Sequence, residues 1–479
     1  MPLLVALGRA AEGPAPRRRA FALGACFGFV FYVLGLHWIA RLSNVAITVP
    51  WLKYPGWLLA AGYLALFPAL ATSLAVALAR RRGGGLAWTF PPALLLIEEL
   101  RASGELGFPW FQPGYTQQGF APILQLASLG SVTLVTLWLA CLNVLVWRSF
   151  AGRARARAAA GALLLLLLPW FWGRRVLDAA DYEATRAPAR PVVALVQGNI
   201  ASEIKWAGTH QKQILATFLA LSRDAAVSTP RPALVIWPET ATGSYLRKQL
   251  DQAFQVAAFA HDQRVPVFSG FADVELDSTG TARHTNSAGL FEPDGSIART
   301  YAKRHLVPFG ERMTFQSLIP ALGRLELGQA EWTPGRRSVL FPSAAGPFAC
   351  LVCFEAIFPD LARADVRAGA RWLVNVTNDE WFGNGAALHQ HAAMAVFRAV
   401  ENHVPLARCA NTGLTMFVDA NGRVTARLPV WRPGVLRAPL PAPGLPTPYT
   451  RLGDWPAWLA FAVLVVAPVV GMRGHSSDG

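Results

Sequence analysis

Phe348-Ala-Cys-Leu-Val-Cys353-Phe-Glu355 is an apolar run that ends on a thiol and a carboxylate. Successive side chains of a strand point to opposite faces, so an uninterrupted apolar run reads as a strand buried on both sides. Helical spacing takes over at Ile357–Ala368, near Pro359. Cys353 therefore falls at a strand-to-helix turn. Such a turn exposes a side chain and aims backbone N–H groups at whatever it attacks. A cysteine in an apolar run is as often a buried structural residue, so Cys353 alone leaves both readings open. Cys350 and Cys353 have the spacing of a redox or zinc half-motif. However, residues three apart on a strand face opposite sides, and no second cysteine pair completes a zinc site.

The same texture extends outward. Val192–Gln197, Ala233–Trp237, Val265–Ser269, Ala288–Phe291, Trp372–Val376 and Thr415–Val418 are short apolar runs bounded by turn residues and predict strands. Helical patterns over His210–Ala226, Leu246–Asp262 and Ala387–Asn402 lie between them, and Asp294-Gly295 and Asn421-Gly422 are hairpin signals. Alternating strands and helices predict an α/β sandwich over about 190–445. Pro439–Pro448 is a proline-rich linker beyond it. Met313–Leu327 is apolar with Pro and Gly; it reads first as a helix of the domain core, and as a mobile lid in the alternative. Gly383-Asn-Gly385 is a second candidate hinge.

Two more reactive residues sit at such boundaries. Glu239 ends Leu234-Val-Ile-Trp-Pro-Glu239, and Lys303 follows a hairpin signal in Tyr301-Ala-Lys303. A carboxylate at the end of a buried strand is expensive unless paired or working. Glu239 could take the thiol proton and later deliver it to a leaving group. An ammonium at Lys303 would favour the thiolate and stabilise an oxyanion. Taken singly, Glu239 also fits a first-turn helix carboxylate and Lys303 a solvated basic face beside Arg304. Together, Glu239, Lys303 and Cys353 supply the parts for nucleophilic acyl chemistry.

The rest of the chain is apolar. Of 479 residues, 53% are hydrophobic and 15% charged, and mean hydropathy is +0.32. A soluble globular chain carries about 25% charged residues, so this composition points to a membrane protein. The net charge of +15 resides largely in arginines beside apolar runs, which fits membrane topology and not nucleic-acid binding. Five sparse cysteines do not make a disulfide framework. Ala20–Arg41, Trp57–Ala79, Leu86–Leu100, Pro122–Trp147, Ala158–Trp172 and Trp455–Val470 predict six spans. Domains are expected at 1–175 (a bundle of about five spans), 190–445, and 455–472 (a last span). Arg17–Arg19, Arg80–Arg82, the arginines at 148, 153, 155 and 157, and Arg473 can all lie on one side of the membrane. By the positive-inside rule that side is cytoplasmic, which puts 190–445 outside. Arg101 and Arg174-Arg175 are exceptions, and Glu98-Glu99 reads as an interfacial pair. Met1–Leu7 is too short to span and reads as the remnant of a span. His389 and His391 are two apart on a predicted helix and make a poor metal pair. No phosphate or dinucleotide fingerprint appears, so neither a metal nor a cofactor is expected.

Trp237-Pro-Glu239, Tyr301-Ala-Lys303 with Leu306-Val-Pro-Phe-Gly-Glu311, and Cys353-Phe-Glu355 resemble the three signatures of the nitrilase superfamily. Val196-Gln-Gly-Asn199 with Lys205-Trp206, Asn378-Asp-Glu-Trp-Phe-Gly383 with Gln390-His391, Gly107-Phe-Pro-Trp110 with Gly114-Tyr115, and Asn411-Thr-Gly413 with Thr415 narrow the resemblance to the apolipoprotein N-acyltransferase family, over about residues 20–472. The resemblance implies a membrane α-helical bundle carrying a nitrilase-like αββα sandwich, in the bacterial inner membrane with the catalytic domain facing the periplasm. It implies transfer of a fatty acyl chain from phospholipid, usually phosphatidylethanolamine, through a cysteine thioester. The acceptor is the α-amine of diacylglyceryl-cysteine in an apolipoprotein, and the enzyme is a monomer. By the same resemblance Cys353 is the nucleophile, Glu239 the general base and Lys303 the oxyanion partner. Glu311, Glu355 and Trp206 are supporting residues, and the Phe354 N–H completes the oxyanion hole. Phe354 departs from the tyrosine often found there. The family usually has eight spans where six are counted, so either the start is missing or six suffice. The alternatives are a membrane-tethered amidase acting on small amides, and a transporter or structural protein with an inert domain.

Overall fold

The computed structural model describes residues 2–43, 49–82, 85–151, 154–186, 188–324 and 330–473. Arg153, residues 44–48 between the first two expected spans and the last three residues of Met313–Leu327 lie outside that set. The chain divides into two compact units, one of residues 1–40, 51–179 and 451–479 and the other of 41–50 and 180–450.

The first unit is helical: α1 (Pro2–Glu12), α2 (Pro16–Gly35), α3 (Lys53–Arg82), α4 (Leu86–Ala102), α5 (Ala121–Leu124), α6 (Ala127–Ala151) and α7 (Arg155–Arg186, whose end belongs to the second unit). Pro16–Arg41, Pro50–Arg80, Ala127–Ala151 and Arg155–Arg186 are long and apolar enough to cross a membrane. Four of the six expected spans fall on these stretches, and α4, at 17 residues, carries the third. Pro122–Trp147 is not one helix. Pro122 lies in α5, and Gly130 and Ser131 are non-helical inside α6. Of Met1–Leu7, Met1 lies outside the described residues and Pro2–Leu7 belong to α1, where Leu4 and Leu7 are buried among residues such as Ala20, Val76 and Phe90. Glu98 is buried within the unit and pairs at 2.5 Å with the fully buried Arg101. Arg101 also donates to the carbonyls of Phe108 and Trp110. Pairing is what allows two such charges to leave water.

The second unit continues with β1 (Val192–Gln197), α8 (Ser202–Trp206), α9 (Gln211–Ala226), β2 (Leu234–Ile236), α10 (Leu250–Gln263), β3 (Val267–Leu276), β4 (Ala282–Phe291), β5 (Ile297–Ala302), β6 (Leu340–Phe341), β7 (Phe348–Val352), α11 (Pro359–Arg367), β8 (Trp372–Thr377), α12 (Ala386–Asn402), β9 (Leu406–Ala410), β10 (Met416–Val418), β11 (Val424–Arg427), β12 (Gly434–Pro439) and α13 (Pro448–Leu452). The last helix of the chain, α14 (Trp455–Arg473), returns to the first unit.

Two six-stranded sheets form, in the orders β12-β1-β2-β3-β4-β5 and β11-β10-β9-β8-β7-β6. In each, three central strands run parallel: β1, β2 and β3 in one, β7, β8 and β9 in the other. Antiparallel strands flank them. The continuous apolar runs follow from burial on both faces. Val193, Leu195, Leu234, Ile236 and Phe268 meet Cys350, Val352, Val374, Val376 and Cys409 in one core shared by both sheets. Their alternates Ala194, Val196, Val235 and Val267 pack with Phe218 and Leu219 of α9 and Val256 and Phe259 of α10. This is the αββα sandwich the sequence predicts. Cys350 and Cys409 are buried core residues. Asp294-Gly295 and Asn421-Gly422 turn the β4–β5 and β10–β11 hairpins, with Gly295 and Gly422 at φ 86° and 83°.

Met313–Leu327 is not a core helix. Its described part forms turns and a 3₁₀ segment at Pro320–Arg324. Met313 is buried, but Leu318 is 78% exposed, with Phe315 and Ile319 exposed beside it. Pro320 and Gly323 interrupt helical propagation.

Candidate active site

The sheets deliver Glu239 and Cys353 to the carboxyl ends of parallel strands, where open α/β sheets leave their loops and crevices, and Lys303 to the end of β5, paired antiparallel to β4. β2 ends at Ile236, and Trp237-Pro238 carry the chain to Glu239. Gly270 on the neighbouring strand makes that position possible, because a Cβ there would lie 2.7 Å from both the Glu239 Cα and the Pro238 carbonyl. Glu239 is buried. Its Oε1 accepts from Asn286 Nδ2 at 2.8 Å, and its Oε2 accepts from the Asn378 backbone N–H at 2.8 Å. Burial lifts its pKa above the ordinary carboxylate value; Lys303 pulls it down and Glu311 pushes it up. A base with a raised pKa is a better match for neutral-pH proton transfer.

Lys303 directly follows β5. Its N–H donates to the Asn286 carbonyl at 2.8 Å, and its own carbonyl accepts from Gly335 N–H at 2.8 Å, which fixes the backbone. The ammonium is buried, 2.8 Å from Glu311 Oε2 and 3.7 Å from Glu239 Oε1. Burial disfavours its charge, but Glu311 and Glu239 outweigh burial and hold the pKa well above that of ordinary lysine. Glu311 is held by Val307 N–H at 2.8 Å and by Asn286 Nδ2 at 3.0 Å. Asn286 thus spans the two carboxylates.

Cys353 stands between β7 and a 3₁₀ turn at Cys353–Ile357, with φ 50°. A left-handed conformation in a non-glycine residue costs free energy and persists where its surroundings impose it. The strand-to-turn elbow expected from the sequence is present. The thiol interacts electrostatically with both Glu239 and Lys303, and the Thr377 side chain lowers its pKa slightly. Burial pushes its pKa far up, Glu239 adds to that, and Lys303 opposes it. The sequence led us to expect Lys303 to favour a thiolate. Its direction is right, but burial wins, and the resting group is the thiol.

The supporting residues separate by role. Glu355 is buried, and its carboxylate accepts from Val352 N–H at 2.7 Å, Tyr301 OH at 2.7 Å, Arg304 N–H at 2.6 Å and His305 N–H at 3.1 Å. It clamps the segment after Lys303 to the turn that carries Cys353. The Phe354 ring is buried against Phe358 and His305, with centroids 5.4 and 6.0 Å away. Trp206 ends α8 with its ring 45% exposed. Its neighbour Lys205 is the residue of that pair that reaches inward: it is fully buried, and its Nζ lies 3.5 Å from the Glu239 carbonyl. Burial pushes its pKa down to about 8 against the pull of Glu239 and Glu380.

Sequence reasoning missed Asn286, and it gave no role to Lys205, Asn378, Asp379, His391 or Arg408. A signal existed for Arg408 and Asn375, which interrupt the otherwise apolar strands β9 and β8. A polar group in such a strand must find a partner.

Residues 192–445 match the carbon-nitrogen hydrolase family, and residues 1–145 match the apolipoprotein N-acyltransferase N-terminal domain. A curated apolipoprotein N-acyltransferase of Geobacter metallireducens is 36% identical, covering 99% of this chain and 90% of its own. Those of Brucella melitensis and Rhodopseudomonas palustris are 33% and 32% identical, covering 98% and 95% of this chain and 89% and 86% of theirs. Among solved structures, an amidase from Nesterenkonia sp. superimposes with TM-score 0.42 at 18% identity, over 57% of this chain and 97% of that one. With both family matches in one polypeptide and relatives aligned over nearly its whole length, the chain belongs to the apolipoprotein N-acyltransferase family.

Proposed function

We propose that the chain moves a fatty acyl group from a phospholipid to the α-amine of a diacylglyceryl-cysteine at an apolipoprotein N-terminus, in two half-reactions through Cys353. In the first, the sulfur attacks an ester carbonyl of the phospholipid while Glu239 takes the S–H proton. The ester C–O bond breaks, Glu239 returns the proton to the departing lysophospholipid oxygen, and a thioester remains. In the second, the amine attacks the thioester and Glu239 accepts an N–H proton. The C–S bond breaks, that proton passes to the sulfur, and an amide is released. Lys303 and the Phe354 backbone N–H stabilise each oxyanion.

The observation that carries this reading is the joining of Glu239, Lys303 and Cys353 at strand ends, in a chain with four helices, among the described residues, long and apolar enough to cross a membrane. The exposed apolar side chains at Phe315, Leu318 and Ile319 fit a lid over a lipid chain. Arginine placement supports a bacterial inner-membrane location with residues 190–445 on the periplasmic side. Phosphatidylethanolamine is the expected donor.

The test is mass spectrometry of Cys353 after incubation with phospholipid vesicles. One added fatty acyl group is expected, and it should be lost when a diacylglyceryl-cysteine peptide is supplied. An unmodified Cys353, together with turnover of small amides in the absence of lipid, would select the amidase reading.

A further inference from the structure

Behind the thiol lies a buried polar group of five residues from three elements and a loop. His391 on α12 is fully buried, with Nε2 3.0 Å from the backbone carbonyl oxygen of Cys353. Its Nδ1 lies 3.1 Å from Asp379 Oδ1 and 3.2 Å from Arg408 Nη2. Arg408 Nη2 donates to both oxygens of Asp379, at 2.9 and 2.8 Å, and Arg408 Nη1 donates to Asn375 Oδ1. Thr377 Oγ1 donates to Asp379 Oδ1 at 3.0 Å. Gly413 closes the group: a Cβ there would come within 2.1 Å of Asp379 Oδ2.

The donors fix the tautomer. A carbonyl oxygen only accepts, so His391 Nε2 carries the hydrogen. In a neutral ring with its hydrogen on Nε2, Nδ1 is left to accept from Arg408, and its 3.1 Å approach to Asp379 Oδ1 is not a hydrogen bond. Burial, with Arg408 adding to it, disfavours imidazolium and keeps the ring neutral. Asp379 is neutralised by Arg408 and does not need a ring proton.

The consequence lies one peptide unit away. The Cys353 carbonyl and the Phe354 N–H belong to the same trans peptide, whose plane is rigid and whose C=O and N–H point in opposite directions. Holding the carbonyl oxygen from one side sets the direction of the N–H on the other. The peptide needs holding, because it follows a non-glycine residue at φ 50°. We infer that His391 is a positioning residue for the oxyanion hole: its Nε2–H grips the Cys353 carbonyl and thereby aims the Phe354 N–H at the acyl oxygen. Asp379 and Arg408 fix the ring that does the gripping.

The inference rests on the acyl-thioester reading above, and the full-length protein in phospholipid vesicles tests both. If the unaltered chain forms no acyl-Cys353, that reading has failed, whatever His391 does. If it acylates, His391→Leu and His391→Gln are compared in two reactions at Cys353. One is single-turnover acylation by phospholipid, which builds an oxyanion. The other is alkylation by iodoacetamide, which does not. Removing an oxyanion donor costs roughly 100- to 1,000-fold, so a misaimed one in His391→Leu should cost about 10- to 100-fold in acylation rate. Alkylation should stay within about twofold, because the thiol itself has not moved, a near-neutral change on the energetic scale of surface substitutions. His391→Gln, which keeps an N–H near the Nε2 position, should recover most of the acylation rate. Three results would overturn the assignment: acylation unchanged in His391→Leu, acylation and alkylation falling together, or His391→Gln as impaired as His391→Leu.

Discussion

Lys303 lies closer to Glu311 than to the proposed base, 2.8 Å against 3.7 Å. The ammonium therefore has a dedicated counter-ion, and Glu239 does not have to serve as one. A carboxylate in a tight ion pair would be a poor base, because its proton affinity falls as the pairing improves. In Glu311→Gln, Lys303 loses its nearer anion and Glu239 its repulsive neighbour. Both changes lower the Glu239 pKa. We predict a loss of about 10- to 100-fold in the rate of Cys353 acylation, the scale of impaired general-base catalysis. Single-turnover acylation of the variant at fixed pH checks it; an undiminished rate would show that Glu311 does not tune the base.

Lys303→Met should make the thiol less reactive. Lys303 lowers the Cys353 pKa against burial, so removing the ammonium raises that pKa further and shrinks the thiolate fraction at every pH below it. The measurement is the rate of Cys353 alkylation against pH, which should fall at neutral pH. An unchanged rate would rule out a role for Lys303 in tuning the sulfur.

Cys353→Ala should abolish the acyl-enzyme, and Cys353→Gly should do the same. The pair also reports on the elbow. At φ 50° an alanine pays the left-handed penalty, and glycine does not. Cys353→Gly should therefore be more stable than Cys353→Ala by about 1 kcal/mol. Thermal unfolding of the two in parallel decides it, and a more stable alanine variant would contradict the strained turn.

Lys205 gives a pH signature. Its pKa falls from 10.5 to about 8 on burial. Between those values the unfolded chain binds the proton and the folded chain does not, so this residue makes stability rise with pH across the window. The penalty for burying the charge is full below about 8 and absent above 10.5. Lys205→Met should flatten the dependence of the catalytic unit's unfolding temperature between pH 8 and 10.5. An identical slope in both proteins would mean that Lys205 stays protonated throughout.

Glu355→Gln should act through the fold. Four donors converge on this carboxylate, and an amide puts an NH₂ group where an acceptor is needed. Stranding one or more buried donors costs about 2–4 kcal/mol. A lowered unfolding temperature with proportionate loss of both acylation and alkylation is the expected pattern. Selective loss of acylation with normal stability would move Glu355 into the chemistry.

Local pattern determined much of this protein. Apolar runs such as Val192–Gln197 and Phe348–Val352 are strands because burial on both faces leaves no polar alternation, and that is visible in one dimension. Helix periods, the two Gly hairpins, and the positions of Glu239, Lys303 and Cys353 at element ends are equally local. β5 and β9 were not legible, because Arg299 and Arg408 break their apolar pattern. Arg408 can be buried only because Asp379 and Asn375 arrive from the neighbouring strand β8 and the loop beyond it, a pairing set by strand register.

The sharing of Asn286 between Glu239 and Glu311, the protonated state of Cys353 and the grip of His391 on the Cys353 carbonyl are likewise matters of tertiary structure. Each joins groups tens of residues or more apart, and each depends on how completely the sandwich excludes water. The sequence by itself marked Glu239, Lys303 and Cys353 as the candidates for the chemistry. Only the folded sandwich decided their charge states and directions, because a pKa and a hydrogen-bond geometry belong to an environment and not to a residue.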